Sequence, residues 1–328
     1  MFSMALSALA VLFVSELGAR FVDASLPEPV EWYDARAQIK VEQMDRLTRR
    51  ADRADFVFIG TSMVFRGIVP QVFDAAGEES NTSSYNAALL AGMPPVMKRW
   101  TLEEVVPRLR PRVVVYGLSS LDFQGRRYEG PVRAYENAPA TRRGLMAGLQ
   151  RVASKHLKLV RRRAEIRDPR KLDEVRDALA REGREQGAVE KHRVTMNDRG
   201  YQPKKWRAVN DEERDRLRQR VLRGYSISAR GTRDVAGLVA GLRARKIDVV
   251  LVDMPVPRRL IPLHPGGWDD YRETRRHIRN LAARLDVPLV DMARAMDDSQ
   301  FVDFTHLTED GAEEFTRRLR ERLAREGF

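Results

Sequence analysis

Short apolar runs alternate with longer amphipathic segments along most of the chain. Strands are predicted where apolar residues are nearly continuous, at 56–59, 82–86, 113–117, 247–254 and 288–291. Helices are predicted where apolar residues recur at helical spacing, at 33–52, 97–110, 232–245, 269–285 and 308–325. This alternation of strand and helix favours an α/β fold with a doubly wound parallel sheet.

The segment 125–230 departs from this rhythm, because its apolar content drops, its charge rises and no strand pattern is present. Helices are predicted there at 142–163, 169–186 and 211–222. Eight Lys or Arg and a single Glu lie between 141 and 165, so one helix face is strongly basic. We interpret 125–230 as a basic helical insertion in an α/β domain formed by 55–124 and 231–328. Its basic face is either a solvated surface, which is favoured, or a contact for anionic lipid or an acidic polymer.

The N-terminal segment is the part of the sequence that bears on location. Residues 1–14 are almost continuously apolar, and Glu16 and Arg20 follow one helical turn apart. This pattern predicts an uncleaved membrane anchor over 1–22, followed by a linker and a first helix over 23–54, with the catalytic domain outside the cytoplasm. The alternative is an amphipathic helix packed on the domain, since fourteen residues are too few to span a bilayer.

The composition of the chain restricts the kinds of site and partner that it can have. Lys and Arg number 59 against 47 Asp and Glu, giving a net charge of +12 that suits an anionic partner or a solvated basic surface. The chain has no cysteine, which excludes disulfides, thiol catalysis and cysteine-based zinc sites. No His, Asp or Glu cluster has metal-ligand spacing and no glycine-rich phosphate loop is present, so neither a metal nor a cofactor is predicted. Interleaved aromatic residues are sparse (Tyr201, Trp206), which disfavours a nucleic-acid partner.

A serine and a histidine stand at positions suited to catalysis. The first apolar run ends in Gly60-Thr61-Ser62, which places Ser62 at the carboxyl end of a strand, where α/β sheets hold their chemistry. His306 precedes the last helix, and Asp303 lies three residues earlier, so one turn can present both side chains to one pocket. Acyl transfer needs such a nucleophile, base and orienting acid. Each motif also has a purely structural interpretation. Ser62 alone is a common turn or cap residue, and Asp303 with His306 alone is a possible helix N-terminal cap.

These residues resemble the SGNH (GDSL-type) serine esterases and acyltransferases, over roughly 55–125 and 232–328. Gly60-Thr61-Ser62 looks like the first block of that family, with Thr in place of Asp. The stretch around Gly92 is similar to the second block, and Asp303-Phe-Thr-His306 to the last. The resemblance implies a flavodoxin-like sheet, Ser62 as nucleophile, His306 as base and Asp303 as the acid that orients it. It also implies that the amides of Ser62 and Gly92 form the oxyanion hole.

The third block departs from the family pattern. An asparagine is expected after the strand at 113–117, and this chain has Ser119 and Ser120 there, whose hydroxyls are candidate substitutes in the oxyanion hole. The departure is shared with membrane-anchored, cell-envelope members of the family. His264 and Arg66 are candidate substrate contacts, although a loop-surface role is favoured for His264. Other carboxylates at strand ends, Asp253 and Asp291, either reach the site or cap a helix.

The resemblance predicts a serine esterase or O-acyltransferase acting on an acylated cell-envelope glycan or lipid-linked substrate. Its partners would be an acyl donor, that substrate, the membrane and envelope-assembly proteins, with no nucleic acid. The alternative is a non-catalytic scaffold of the same fold that binds an anionic envelope polymer. That alternative is motivated by the missing asparagine and the basic insertion. A separation of the Ser62, His306 and Asp303 side chains well beyond hydrogen-bond reach would favour it.

Overall fold

The central element of the computed structural model is a five-stranded sheet in which each strand runs parallel to its neighbours. The structure describes residues 2–23, 28–50, 54–77, 82–142, 149, 152–154, 156–162, 188–205 and 210–328. The strands are β1 (Phe56–Ile59), β2 (Ser84–Asn86), β3 (Val113–Leu118), β4 (Asp248–Asp253) and β5 (Leu289–Asp291). Their order, β2-β1-β3-β4-β5, is flavodoxin-like, so the predicted α/β class and doubly wound sheet are confirmed.

The sheet register places the ends of β1 and β3 side by side. Phe56 pairs with Val113 and Ile59 with Tyr116, and every residue of both strands is buried. Burial on both faces explains why these strands are continuously apolar in sequence rather than alternating. The strand order reverses between β1 and β3, and doubly wound sheets bind ligands in the crevice at such a point.

Helices precede and follow the strands in sequence, and most of the remaining described residues are helical. In chain order they are α1 (Phe2–Asp23), α2 (Ala35–Arg49), α3 (Ser62–Gly67), α4 (Pro70–Ala75), α5 (Pro94–Trp100), α6 (Val106–Leu109), α7 (Glu129–Asn137), α8 (Lys158–Arg161), α9 (Ala188–Thr195), α10 (Asp211–Arg216), α11 (Ala229–Arg243), α12 (Trp268–Leu285) and α13 (Glu309–Arg325). Single π-helical turns follow α5 and α10, at Thr101–Val105 and Leu217–Val221. Short 3₁₀ turns are Ser120–Phe123, Gly125–Arg127, Pro139–Thr141, Arg258–Leu263 and Asp298–Gln300.

Two compact units divide the chain. The larger comprises 40–133 and 195–328 and contains the whole sheet, while the smaller comprises 1–39 and 134–194. The helix predicted at 169–186 lies outside the described residues, and so does much of the one predicted at 142–163. The proposed boundaries of the insertion at 125 and 230 stay a prediction.

The N-terminal helix α1 is 22 residues long and carries a charged network near its end. Glu16 pairs with Arg20 at 2.9 Å, one turn apart as the spacing predicts, and accepts the amides of Lys158 and Leu159. Within the described part of the chain, no helix combines the length and apolar character needed to cross a bilayer. The anchor predicted over 1–22 is therefore not supported.

Candidate active site

The turn that leaves β1 admits only glycine at its first position. Gly60 has φ +148°, and a Cβ there would lie 2.5 Å from Cγ2 of Val64 and 2.8 Å from the carbonyl oxygen of Gly117. Neither contact can be relieved without moving the backbone of β3 or the helix that follows. Thr61 then takes an extended conformation and α3 begins at Ser62, at the carboxyl end of the sheet.

A buried asparagine at the end of β2 fixes the short helix that carries the serine. The side-chain amide of Asn86 donates to the carbonyls of Val64 and Ile68, each at 2.9 Å. The Val64 carbonyl also accepts the amide of Ile68 at 3.1 Å, and Ile68 is the C-cap residue of α3, so Asn86 fixes the C-terminal end of this helix. Sequence reasoning assigned Asn86 no role, because a single asparagine at the end of a strand gives no pattern that points to a contact with a helix elsewhere.

Ser62, His306 and Asp303 form a continuous hydrogen-bonded chain. Oγ of Ser62 lies 2.9 Å from Nε2 of His306, and Nδ1 of His306 lies 2.8 Å from Oδ2 of Asp303. An Nδ1–H that donates to the carboxylate leaves Nε2 free to accept the serine proton. A separation beyond hydrogen-bond reach would have favoured the scaffold alternative, and the structure does not have that separation.

The Asp303 carboxylate is held in its ionised form by its surroundings. It is 3% exposed, and Oδ1 accepts the backbone amides of Thr305 and His306, each at 2.7 Å. Burial acts to raise the pKa of Asp303, but the bond from His306 and these two amides outweigh it and hold the pKa well below its usual value. The carboxylate is therefore charged at neutral pH and can orient the imidazole.

Two basic residues that the sequence did not single out contact the Asp303 loop. Nζ of Lys204 lies 3.4 Å from Oδ2 of Asp303. The guanidinium of Arg259 donates to the carbonyl oxygens of Phe301 (3.0 Å) and Asp303 (2.6 Å), which fixes the loop from behind. Lys204 falls in the stretch without periodic pattern, and Arg259 is one arginine among many, so neither left a signal in the sequence.

Gly92 packs against the turn that carries the serine. A Cβ on Gly92 would lie 2.9 Å from the carbonyl oxygen of Gly60, and the amide of Leu89 donates to that same oxygen at 3.0 Å. Ala91 adopts φ +51°, an uncommon left-handed conformation for a residue with a side chain. The amide of Gly92 donates to Leu89 O at 3.1 Å, so in this structure it is engaged within its own turn.

The two serines after β3 are engaged elsewhere in the structure. The hydroxyl of Ser119 donates to Oδ2 of Asp122 at 2.7 Å, closing a capping box, while Oγ of Ser120 lies 3.0 Å from Nε2 of His264. Since Nδ1 of His264 bonds to the carbonyl of Ile261, Nε2 is the acceptor and Ser120 the donor.

His264 is not the loop-surface residue that the sequence favoured. It is 2% exposed and packs edge-to-face on Tyr225, with ring centroids 5.0 Å apart. Burial lowers its pKa, which keeps the imidazole neutral. The loop-surface interpretation of His264 was wrong because its proline and glycine neighbours indicate a loop but not which residues pack over that loop.

The remaining candidate residues lie apart from the Ser62 chain of bonds. The guanidinium of Arg66, one turn after Ser62 on α3, donates to the carbonyl of Pro203 at 2.9 Å. Asp253 and Asp291 both bind Arg275, at 2.8 and 2.5 Å. Among the residues that the structure describes, no group of three His, Asp or Glu side chains is arranged to hold a metal ion.

Comparison with known proteins gives similarities of chain path only. No protein-family model matches the sequence, and no curated protein matches it significantly. Among solved structures, the chain is similar to a GDSL-like lipase from Bacteroides thetaiotaomicron (12% identity, TM-score 0.41, covering 88% of this chain and 99% of that one). It is also similar to a lipase/acylhydrolase from Enterococcus faecalis (12%, 0.40, 83% and 94%) and a carbohydrate acetylesterase from Sinorhizobium meliloti (9%, 0.39, 82% and 98%).

Identities and TM-scores this low transfer no activity to this chain. A doubly wound parallel sheet, with Ser62 at the end of β1 and Asp303 and His306 just before the last helix, is the arrangement implied by the resemblance to the SGNH hydrolases.

Proposed function

We propose that this protein is a serine esterase or O-acyltransferase that works through a covalent acyl-enzyme on Ser62. The observation that carries the proposal is the unbroken chain of bonds from Ser62 through His306 to Asp303, at 2.9 and 2.8 Å. A nucleophile, a base and an orienting acid within hydrogen-bond reach are the parts that serine acyl transfer requires. The His306 side chain is 14% exposed, so a substrate can reach the nucleophile while the acid stays buried.

The chemistry proceeds in two half-reactions. Oγ of Ser62 attacks the ester carbonyl while its proton passes to Nε2 of His306, and the leaving alcohol then takes that proton as the tetrahedral intermediate collapses. Water or a sugar hydroxyl next gives its proton to the same nitrogen and attacks the acyl-enzyme. His306 returns that proton to Oγ as the second tetrahedral intermediate collapses, which releases Ser62 and the acid or the new ester. Hydrolysis and transfer thus share one intermediate, and the acceptor alone distinguishes them. We extend the proposal to acyl groups on a cell-envelope glycan or lipid-linked substrate.

The developing oxyanion needs backbone donors near Ser62. The Ser62 amide opens α3, where helical N–H groups have no intrahelical acceptor, and it is our first assignment for the oxyanion hole. Gly92 is the second assignment, and binding an oxyanion there requires its amide to exchange the Leu89 carbonyl for the substrate. Ser119 and Ser120 donate to other acceptors, which makes them poorer assignments.

Covalent labelling tests the nucleophile directly. A fluorophosphonate should add one adduct to the native protein, seen as a mass increase of the intact chain, and none to Ser62→Ala. Hydrolysis of p-nitrophenyl acetate should fall by on the order of a thousand-fold or more in Ser62→Ala. The exposed Ser226 supplies a matched control, and Ser226→Ala should label and turn over like the native protein. Equal labelling of native protein and Ser62→Ala would exclude this mechanism.

A further inference from the structure

An arginine-lined cleft lies beside β5 and α13 in the larger unit. Its volume is about 710 Å³, and its lining includes five arginines, Arg275, Arg294, Arg318, Arg322 and Arg325. Two carboxylates, those of Asp291 and Glu321, share the lining. A concave surface with this excess of one charge concentrates ions of the opposite sign.

Three of these arginines stand on one face of α13. Arg318, Arg322 and Arg325 are four and three residues apart, the spacing that brings side chains together along a helix. Arg318 pairs with Glu314 at 2.7 Å, whereas Arg322 and Arg325 form no ion pair with any described carboxylate. Arg322 and Arg325 lie in the last turn of α13, where cations complement the helix dipole, and this alone is a sufficient reason for their presence.

Helix termination does not account for Arg294. It lies on the segment after β5, is exposed and pairs with no carboxylate that the structure describes, yet it lines the same cleft as α13. Arg275 is bound to Asp253 and Asp291, so Arg294, Arg322 and Arg325 are the guanidiniums of this cleft that are available to a ligand.

A second cavity, of about 480 Å³, shares Arg294 with the first. Trp268 lines it and is 39% exposed, which is unusual for so large an apolar side chain. Its ring packs edge-to-face on Tyr271, with centroids 6.0 Å apart, so the indole is held in place. The carboxylates of Asp297 and Asp298 stand in the same lining.

We propose that the two cavities form one groove that binds an acidic oligosaccharide. Trp268 would stack on a sugar ring, Asp297 and Asp298 would accept sugar hydroxyls, and the free guanidiniums would hold carboxylates or other anionic groups of the glycan. The two acidic residues beside the tryptophan disfavour a nucleic acid, whose phosphates they repel. The concave shape disfavours a flat lipid surface. The proposal does not depend on the chemistry assigned to Ser62.

One short turn contacts both the groove and the Asp303 loop. Arg258 and Ile261, of the 3₁₀ turn Arg258–Leu263, line the cavity that contains the tryptophan. Arg259 of the same turn donates to the carbonyl of Asp303. A glycan in the groove would therefore contact the turn that supports the acid of the triad.

Binding is tested on the full chain carrying Ser62→Ala, so that no ester is cleaved. The probe is a short oligogalacturonate, and its fully methyl-esterified counterpart has the same sugars without the charge. Titration calorimetry at low salt should detect the acid form and give at least tenfold weaker binding of the ester. Because surface charges are screened, binding of the acid form should also weaken as salt is raised.

Variants locate the site. The triple change Arg294→Gln, Arg322→Gln and Arg325→Gln should weaken binding about tenfold or more, as expected for the loss of three exposed ion pairs. A matched triple of exposed arginines outside the groove, Arg218→Gln, Arg220→Gln and Arg233→Gln, should leave binding unchanged. Trp268→Ala should weaken binding by roughly fivefold without altering its salt dependence.

Three results would each overturn the proposal. One is that the protein binds the oligogalacturonate and its methyl ester with equal affinity. Another is that the groove triple and the control triple weaken oligogalacturonate binding equally. The third is single-stranded DNA bound as tightly as the oligogalacturonate and lost in the groove triple, which would replace the glycan by a nucleic acid. Single Gln variants at the three groove positions give the same comparison if the triple variant does not fold.

Discussion

At the scale of single residues, the Asp303 carboxylate is shared between the imidazole of His306 and the ammonium of Lys204. Oδ2 accepts Nδ1 of His306 at 2.8 Å and also lies 3.4 Å from the ammonium of Lys204. A positive charge so close competes with a protonated imidazole for the same oxygen. In the proposed mechanism, Lys204 should therefore make it easier for His306 to release the proton taken from Ser62.

Lys204→Met tests this competition. Without the ammonium, the carboxylate stabilises the protonated imidazole more strongly, so the acid limb of the kcat/KM profile should move to higher pH. Because Lys204 is partly exposed, a shift on the order of half a pH unit is expected. The neighbouring Lys205 is exposed, and Lys205→Met is the control. An unchanged acid limb, or the same shift in both variants, would remove Lys204 from this role.

At this scale the sequence was informative where a local geometric rule applied. Asp303 and His306 are three residues apart, so their contact follows from the geometry of one turn. Ser62 lies 244 residues from His306, and only the motif resemblance connected the two. The Ser120–His264 bond spans 144 residues and has no motif, so nothing in the sequence could have predicted it.

At the scale of elements, one arginine on α12 ties the ends of β4 and β5 together. Arg275 lies 2.8 Å from Asp253 and 2.5 Å from Asp291. Burial raises the pKa of Asp253 to about 6, although the Arg275 bond acts in the opposite direction. The same bond, working against burial, raises the pKa of Arg275. Asp253 is the more deeply buried partner, so desolvation decides its titration.

The raised pKa of Asp253 predicts how the stability of the protein depends on pH. A carboxyl whose pKa is higher in the folded than in the unfolded protein binds more protons when folded, so its contribution to stability grows as pH falls. Relative to Asp253→Asn, the native protein should gain roughly 1 kcal/mol in its free energy of unfolding between pH 7 and pH 5. Urea unfolding of both proteins measures this. A difference that stays constant, or that shrinks as pH falls, contradicts the assignment.

Element boundaries followed from the sequence except where the backbone departs from a regular ladder. The helix predicted at 97–110 is observed as α5, a π-helical turn and α6, and the turn ends directly before Val106-Pro107. Pro107 has no amide to donate and its ring clashes with the preceding turn, so the hydrogen bonds there widen. Periodicity showed that a helix exists but not that its interior contains this bulge.

At the scale of the whole molecule, the strand–helix rhythm was sufficient to predict a doubly wound sheet. It was not sufficient to predict that 195–205 contributes to the site through Lys204, since that segment is neither periodic nor apolar. The sheet is specified by continuous apolar strands, whereas this segment is held by polar contacts that leave no pattern. Asn197, for example, accepts the amides of Arg199 and Tyr201 through its side chain.

One buried lysine joins this segment to the domain. Lys40 on α2 is fully buried, and its ammonium contacts the carbonyls of Asn86, at the end of β2, and Gly200. It also lies 4.6 Å from the ring centroid of Phe65, on the helix that begins with Ser62. No described carboxylate pairs with it, and burial lowers its pKa well below the usual value.

The lowered pKa predicts an unusual pH dependence for the whole domain. The unfolded chain binds a proton at Lys40 that the folded protein holds weakly, so stability from this group rises with pH. The free energy of unfolding of the native protein should therefore increase relative to Lys40→Met between about pH 7 and pH 10, the range below the ordinary lysine pKa. Urea unfolding across this range measures the difference, with the exposed Lys205→Met as control. A difference independent of pH would mean that Lys40 is fully charged in the fold, and that its carbonyl contacts alone offset the cost of burying it.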